Sequence, residues 1–266
     1  MPANPRPYKV LLLGGSSEAS ALAARLADDP RFDAMLSLAG RTTSPGAQSI
    51  PRRVGGFGGA AGLVQYLGVA SVDALVVALH PFAIQMRANA MAAADMRKTP
   101  LIIIDRPCWR PAAGDRWTCV ADMAAAAHAL GTEPKRVLLT VGRQELTPFK
   151  DQPQHAYLTR SIDAPLPDDL PRQAEVLLAR GPFTVEDEQR LLRERNIDIV
   201  VTKNAGAGAT EAKLVAARAL ALRVIMVNRP PRPPGANDHL FVPDVHGAWD
   251  WLVRLHQSSA ATDRGV

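Results

Sequence analysis

Cysteine is nearly absent: Cys108 and Cys119 are the two in a chain of 266 residues. That scarcity excludes a disulfide framework and the paired spacings of a structural zinc site. Aromatic residues are sparse as well, at 5%. The basic runs and interleaved aromatics that mark a nucleic-acid groove are missing. Apolar runs such as Ala74–Leu79 stop far short of the ~20 residues that cross a bilayer. Residues 1–7 hold three prolines and no apolar segment, so no secretory leader is expected and a cytoplasmic location is. Neither nucleic acid nor membrane is the expected partner.

What remains is ordinary for a folded chain, with 47% hydrophobic and 21% charged residues. The net charge of +5 is spread along the sequence, which suits a small anionic ligand.

Short apolar runs alternate with helical patterns. The runs are Lys9–Leu13, Met35–Ala39, Ala74–Ala78, Leu101–Ile104, Arg136–Val141, Glu175–Ala179, Asp198–Thr202 and Arg223–Val227. They are almost continuous in Val, Leu and Ile, the mark of strands buried on both faces. Between them lie helical segments at Ser17–Ala27, Pro81–Met96, Val185–Glu194 and Thr210–Ala221. This alternation predicts an α/β protein with parallel sheets. A helix over Met123–Leu130 ends at Gly131, and Pro134 follows, a helix-stop signal. The reading therefore places one domain at 1–134 and a second at 135–266. Both are Rossmann-like or flavodoxin-like parallel-sheet units, with a cleft expected between them. The polar tail after Leu255 is expected to fray.

The first run leads into Gly14-Gly15-Ser16-Ser17-Glu18-Ala19. A strand that feeds a glycine turn and then a helix offers backbone N–H groups and a positive helix end to a phosphate. The match to the dinucleotide fingerprint is incomplete, with Ser16 and Ala19 at the second and third glycine positions. An ordinary strand-to-helix turn with a serine cap is the alternative reading of this segment. After the second run come Gly40, Arg41 and Thr42. At that place an acid would favour NAD and an arginine would accept a 2′-phosphate; a surface arginine is the alternative. Gly55-Gly56-Phe57-Gly58 makes a loop that either lies against the cofactor or is a plain turn. Turns of this kind also serve group transferases with a nucleotide-type donor, or a non-catalytic sensor.

The ordered set LLLGGSSEA, AGR-T, RVGGFGG, HPFA with Asn89 and Ala90 beyond it, RPCW, VGRQEL, RGPF and TKNAG resembles the precorrin-6A reductase family over roughly residues 9–255. Leu79 stands before the histidine where the family carries a small hydroxyl residue. Lys203-Asn204-Ala205-Gly206-Ala207 stands for its Lys-Asn-Ser-Gly-Gly. The resemblance implies an oxidoreductase that uses NADPH to reduce one double bond of the precorrin-6A macrocycle to precorrin-6B in cobalamin biosynthesis. It needs no metal or flavin, and its partner is a small tetrapyrrole polycarboxylate.

Such chemistry needs cations for the carboxylates and a proton donor. Arg143, Lys203 and Arg229 each follow a predicted strand of the second half within a residue or two, so they should share the rim where parallel sheets bind ligands. Solvent-exposed strand ends are the alternative. The proton-donor candidates are Lys203, Asp105 and His80, the last placed just before Pro81 as first helical residue. Glu145 and Glu188 read as helix first-turn or surface charges. Trp109, Phe57, Phe82 and Phe183 are candidates for stacking or for core packing.

Overall fold

The computed structural model describes residues 6–40, 46–233 and 235–262. In chain order the elements are β1 (Tyr8–Leu13), α1 (Ser17–Ala27), β2 (Phe32–Leu38), β3 (Arg52–Val54), α2 (Gly59–Val69), β4 (Ala74–Val77), α3 (Ile84–Arg97) and β5 (Leu101–Ile104). There follow β6 (Arg116–Val120), α4 (Met123–His128), β7 (Arg136–Thr140), β8 (Ala156–Ser161), β9 (Ala174–Leu178), α5 (Val185–Glu194) and β10 (Ile199–Lys203). The last are α6 (Ala212–Ala219), β11 (Arg223–Val227), β12 (Leu240–Val242) and α7 (Val245–Thr262).

These elements build two six-stranded sheets, ordered β3-β2-β1-β4-β5-β12 and β9-β8-β7-β10-β11-β6. Every strand pair in both is parallel. The first sheet has the dinucleotide-fold order, with its sixth strand supplied late in the chain. The second repeats the same order over five strands and takes its sixth from the strand that precedes them. The fold class is thus the expected α/β arrangement of two Rossmann-like parallel sheets.

One compact unit comprises the chain up to Pro107 together with the chain from Pro231 onward; the other runs from Cys108 to Pro230. The break therefore does not fall at 134/135. Arg116–Val120 pairs residue for residue with Arg223–Val227, which ties β6 to the second sheet. Leu240–Val242 pairs with Ile102–Ile104, which returns the chain's end to the first. Gly131 and Pro134 stop a helix and do not divide domains.

In the first unit the period of two along each strand sorts its side chains between two cores. Val10 and Leu12 join Leu22 and Leu26 of α1 and Ala248 and Leu252 of α7. Leu11 and Leu13 join Leu63 and Leu67 of α2 and Ala90 and Met91 of α3. In the second unit Leu138, Leu158, Val200 and Val224 pack with Leu192 of α5 and Leu214 of α6. Each fully buried leucine contributes ~2 kcal/mol of transfer free energy, so buried sheets of this kind hold their strand ends, and the turns that follow them, in fixed places. Among the described residues no helix is long and apolar enough to cross a membrane.

Candidate active site

Each sheet has a switch point, where connections leave neighbouring strands in opposite directions; ligands bind there, beyond the strand C-termini. In the first unit it lies between β1 and β4. A Cβ on Gly14 would stand 2.5 Å from Leu36 Cδ1 and 2.9 Å from Ala19 Cβ, so only glycine fits. Gly15 has φ +125°, and a Cβ built on it would meet no heavy atom within 4 Å. The turn is open to solvent above a helix start, and turns in that position can receive a diphosphate. Ser16 caps α1: its hydroxyl accepts from Ala19 N at 3.2 Å and donates to the Ala78 carbonyl at 2.8 Å. It therefore spans the switch point and fixes the turn. Ser17 Oγ lies 3.2 Å from Glu18 Oε2.

Glu18 puts a negative charge into a turn suited to anions, and Arg106 of the RPCW segment meets it at 2.5 Å. Burial pushes the Glu18 carboxyl up, but Arg106, its own backbone N–H and the Ser17 hydroxyl hold it below the usual carboxylate range. Beside β2, the Gly55–Gly58 loop is pinned. Arg53 donates to Ser37 Oγ at 2.8 Å and to the carbonyls of Gly55 and Gly56 at 3.0 and 3.1 Å. Its guanidinium also stacks 4.0 Å from the Phe57 ring. The φ of +80° at Gly58 starts α2. Arg41 and Thr42 lie outside the described residues.

His80 follows β4 at the same switch point. Its Nδ1 accepts from Phe82 N at 3.3 Å. Pro81 and Phe82 form a turn and the helix begins only at Ile84, so Pro81 is not the first helical residue. Asp105, at the end of β5, is side-chain buried between two guanidiniums: Arg232 Nη2 at 2.9 Å and Arg87 Nη1 at 3.5 Å. Arg232 donates to Oδ2 of the carboxylate, and Arg87 faces Oδ1 as a second counter-ion. That geometry makes Asp105 a clamp between β5 and the segment before β12, a role that stands beside the proton-donor one expected from sequence.

In the second unit the three expected cations stand at the ends of neighbouring strands. β11, β10 and β7 are neighbours, and Arg229, Lys203 and Arg143 leave their C-terminal ends. Lys203 Nζ donates to Glu145 Oε2 at 2.6 Å, and the same oxygen accepts from Gly142 N at 2.6 Å. Glu145, read from sequence as a first-turn charge, is thus the counter-ion of Lys203. Arg229 reaches the carbonyls of Asn204 and Ala205 at 3.4 and 3.2 Å. Glu188 does stand in the first turn of α5, one of the two places read for it, but it is no surface charge: it is 1% exposed and ion-paired with Arg160. Sequence reasoning missed it because a carboxylate in a helix first turn reads as solvated.

Strand order, glycine turn and capped helix define a Rossmann-like α/β protein with a nucleotide-type turn in its first unit. The chain belongs to the family described as Precorrin-6x reductase CbiJ/CobK, which it matches over residues 9–253. It is 48% identical over 263 residues to the precorrin-6A reductase of Rhodobacter capsulatus, covering 97% of this chain and 99% of that one. It is 48% identical over 247 residues to that of Rhodococcus erythropolis, covering 93% and 98%. A solved structure, CobK precorrin-6A reductase, superposes with a TM-score of 0.88 at 47% identity, covering 93% of this chain and 97% of that one. A reductase family on a Rossmann-like fold is consistent with a nicotinamide cofactor. The group-transferase alternative finds no support in these likenesses.

Proposed function

We propose that this chain reduces one carbon–carbon double bond of precorrin-6A with NADPH, giving precorrin-6B. The observation that carries the reading is the family match across both units, joined to the open Gly15 turn at the first switch point. NADPH supplies the hydride when bound. The backbone of Gly14, Gly15, Ser16 and Ser17 holds its diphosphate, Arg41 and Thr42 take the 2′-phosphate, and the Gly55–Gly58 loop lies beside the adenosine. In the second unit Arg143, Lys203 and Arg229 pair with carboxylates of the tetrapyrrole through charge-assisted hydrogen bonds. The hydride goes to one ring carbon and a proton to its neighbour. Lys203 is the favoured donor, since its ammonium stands at the second switch point with Glu145 as counter-ion; His80 is the second candidate.

The test is incubation of the purified protein with precorrin-6A and NADPH, following macrocycle absorbance and nicotinamide fluorescence together. Loss of both signals in a one-to-one ratio is expected. No absorbance change sinks the activity. Equal affinity for NADH and NADPH sinks the role of Arg41, as does an Arg41→Ala variant that weakens both alike.

A further inference from the structure

The second unit holds a cluster of buried charges. Lys213, at the start of α6, is 4% exposed. Its Nζ donates to the Thr210 carbonyl at 2.5 Å and stands 4.9 Å from the Trp109 ring centroid. Arg160 on β8 pairs with Glu188 on α5 and stacks 4.0 Å from Phe183. Glu188 keeps its other oxygen, Oε2, buried without a hydrogen-bond partner. A path of contacts leads from this cluster to the rim. Trp109 N donates to Asn204 Oδ1 at 2.8 Å, and Asn204 Nδ2 donates back to the Trp109 carbonyl at 3.1 Å. Asn204 follows Lys203, and its own carbonyl accepts from Arg229.

We propose that Lys213 is a positioning residue for anion binding: from inside the unit it holds the Gly208–Thr210 turn and the Trp109 indole, and through Asn204 it fixes the rim that carries Lys203 and Arg229. The inference rests on the reading of that rim as the carboxylate-binding edge. Buried charge is costly, and in some proteins it is kept because it specifies an arrangement. The charged groups that face Lys213 are Arg160, Glu188 and Glu211. Burial, seconded by Arg160, outweighs the two carboxylates and brings the ammonium down to about 7. Below that pH it is a strong donor to the Thr210 carbonyl; above it a weaker amine takes its place. Rim order therefore follows the protonation of a buried group.

The test compares wild type with K213M, K213R and E188Q at saturating NADPH, from about pH 6 to about pH 8.5. Precorrin-6A KM and kcat are read alongside amide hydrogen exchange over residues 204–212. In wild type, KM is expected to rise severalfold across this range. In K213M it is about tenfold high and flat, and in K213R low and flat, with kcat within about twofold in each. E188Q, equal in size to the native side chain, shifts the wild-type midpoint to lower pH and serves if K213M folds poorly. Exchange over 204–212 quickens in K213M with no substrate present. Unchanged exchange in K213M overturns the proposal, as does a wild-type pH dependence in K213R. Quicker exchange with an unmoved KM overturns it too. In that case R229A separates the two readings, because the carboxylate edge requires its KM to rise whatever Lys213 does.

Discussion

Lys213 sets stability against function within one side chain. In the unfolded chain its ammonium holds a proton up to about the ordinary 10.5, in the folded chain only to about 7. Between those values the unfolded state binds more protons, so stability rises with pH through the window. Below it the folded protein carries the whole cost of the buried charge. K213M is therefore expected to stabilise the fold by on the order of 4 kcal/mol at low pH, with the gain shrinking as pH passes through the window. Urea midpoints measured at several pH values check this; a gain that does not vary with pH would show the ammonium to be hydrated. Ser16 works in the opposite sense. Its hydroxyl both caps α1 and reaches the Ala78 carbonyl, so Ser16→Ala should cost about 1–2 kcal/mol and weaken NADPH binding severalfold as the helix start loosens. Urea unfolding and a nicotinamide fluorescence titration measure the two effects. Unchanged affinity would place the diphosphate elsewhere.

At the scale of elements, Asp105 fastens one strand to another segment. It receives Arg87 and Arg232, and its backbone N–H donates to Val242 of β12 at 2.8 Å. Asp105→Asn removes the counter-charge that faces buried Arg87 and should cost about 3 kcal/mol, while the folded fraction turns over at nearly the native rate. A hundredfold fall in kcat with the fold intact would give the carboxyl back its place as proton donor. The elements also show what was legible before any coordinates. All eight predicted strands form; most are unbroken Val, Leu and Ile runs buried between helical layers, while β9 sits at a sheet edge with Val176 and Leu178 exposed. The sequence pattern hid β8, whose Thr159 and Arg160 interrupt the apolar run; Arg160 is buried there because Glu188 neutralises it. It hid α2, which carries three glycines; a Cβ on Gly62 would fall 1.6 Å from the Phe57 carbonyl, so a residue that weakens a helix locally is what lets the loop close over it. Edge strands β3 and β12, three residues each, are too short for any periodicity. The polar end of α7 continues as helix to Thr262 because Trp249, Leu252 and Leu255 pack earlier turns onto the first core. The glycine turn and the cations after β7, β10 and β11 were readable because each follows a strong strand. The partners Glu145, Arg53 and Arg106 were not, since ion pairs form between residues that no local spacing connects.

For the whole molecule, the path of the chain sets how it comes apart. The second unit is one continuous stretch, residues 108–230, with six paired strands and a core drawn from its own residues. The first is assembled from two stretches separated by the whole of the second. Without the later stretch, β5 loses its neighbour β12, and Val10, Leu12, Leu22 and Leu26 lose Ala248 and Leu252 from their core. Exposing several core leucines, at ~2 kcal/mol each, matches the whole stability of an ordinary domain. A fragment of residues 108–230 should therefore fold alone and unfold in one cooperative step, whereas residues 1–107 should stay unfolded until residues 231–266 are supplied in trans. The tryptophans report separately, since Trp109 and Trp117 lie in the second unit and Trp249 and Trp251 in the later stretch of the first. Fluorescence of the complementing peptide should shift to the blue only when residues 1–107 are present. A cooperative transition in residues 1–107 by themselves would mean that the returning strand and helix decorate a core already complete.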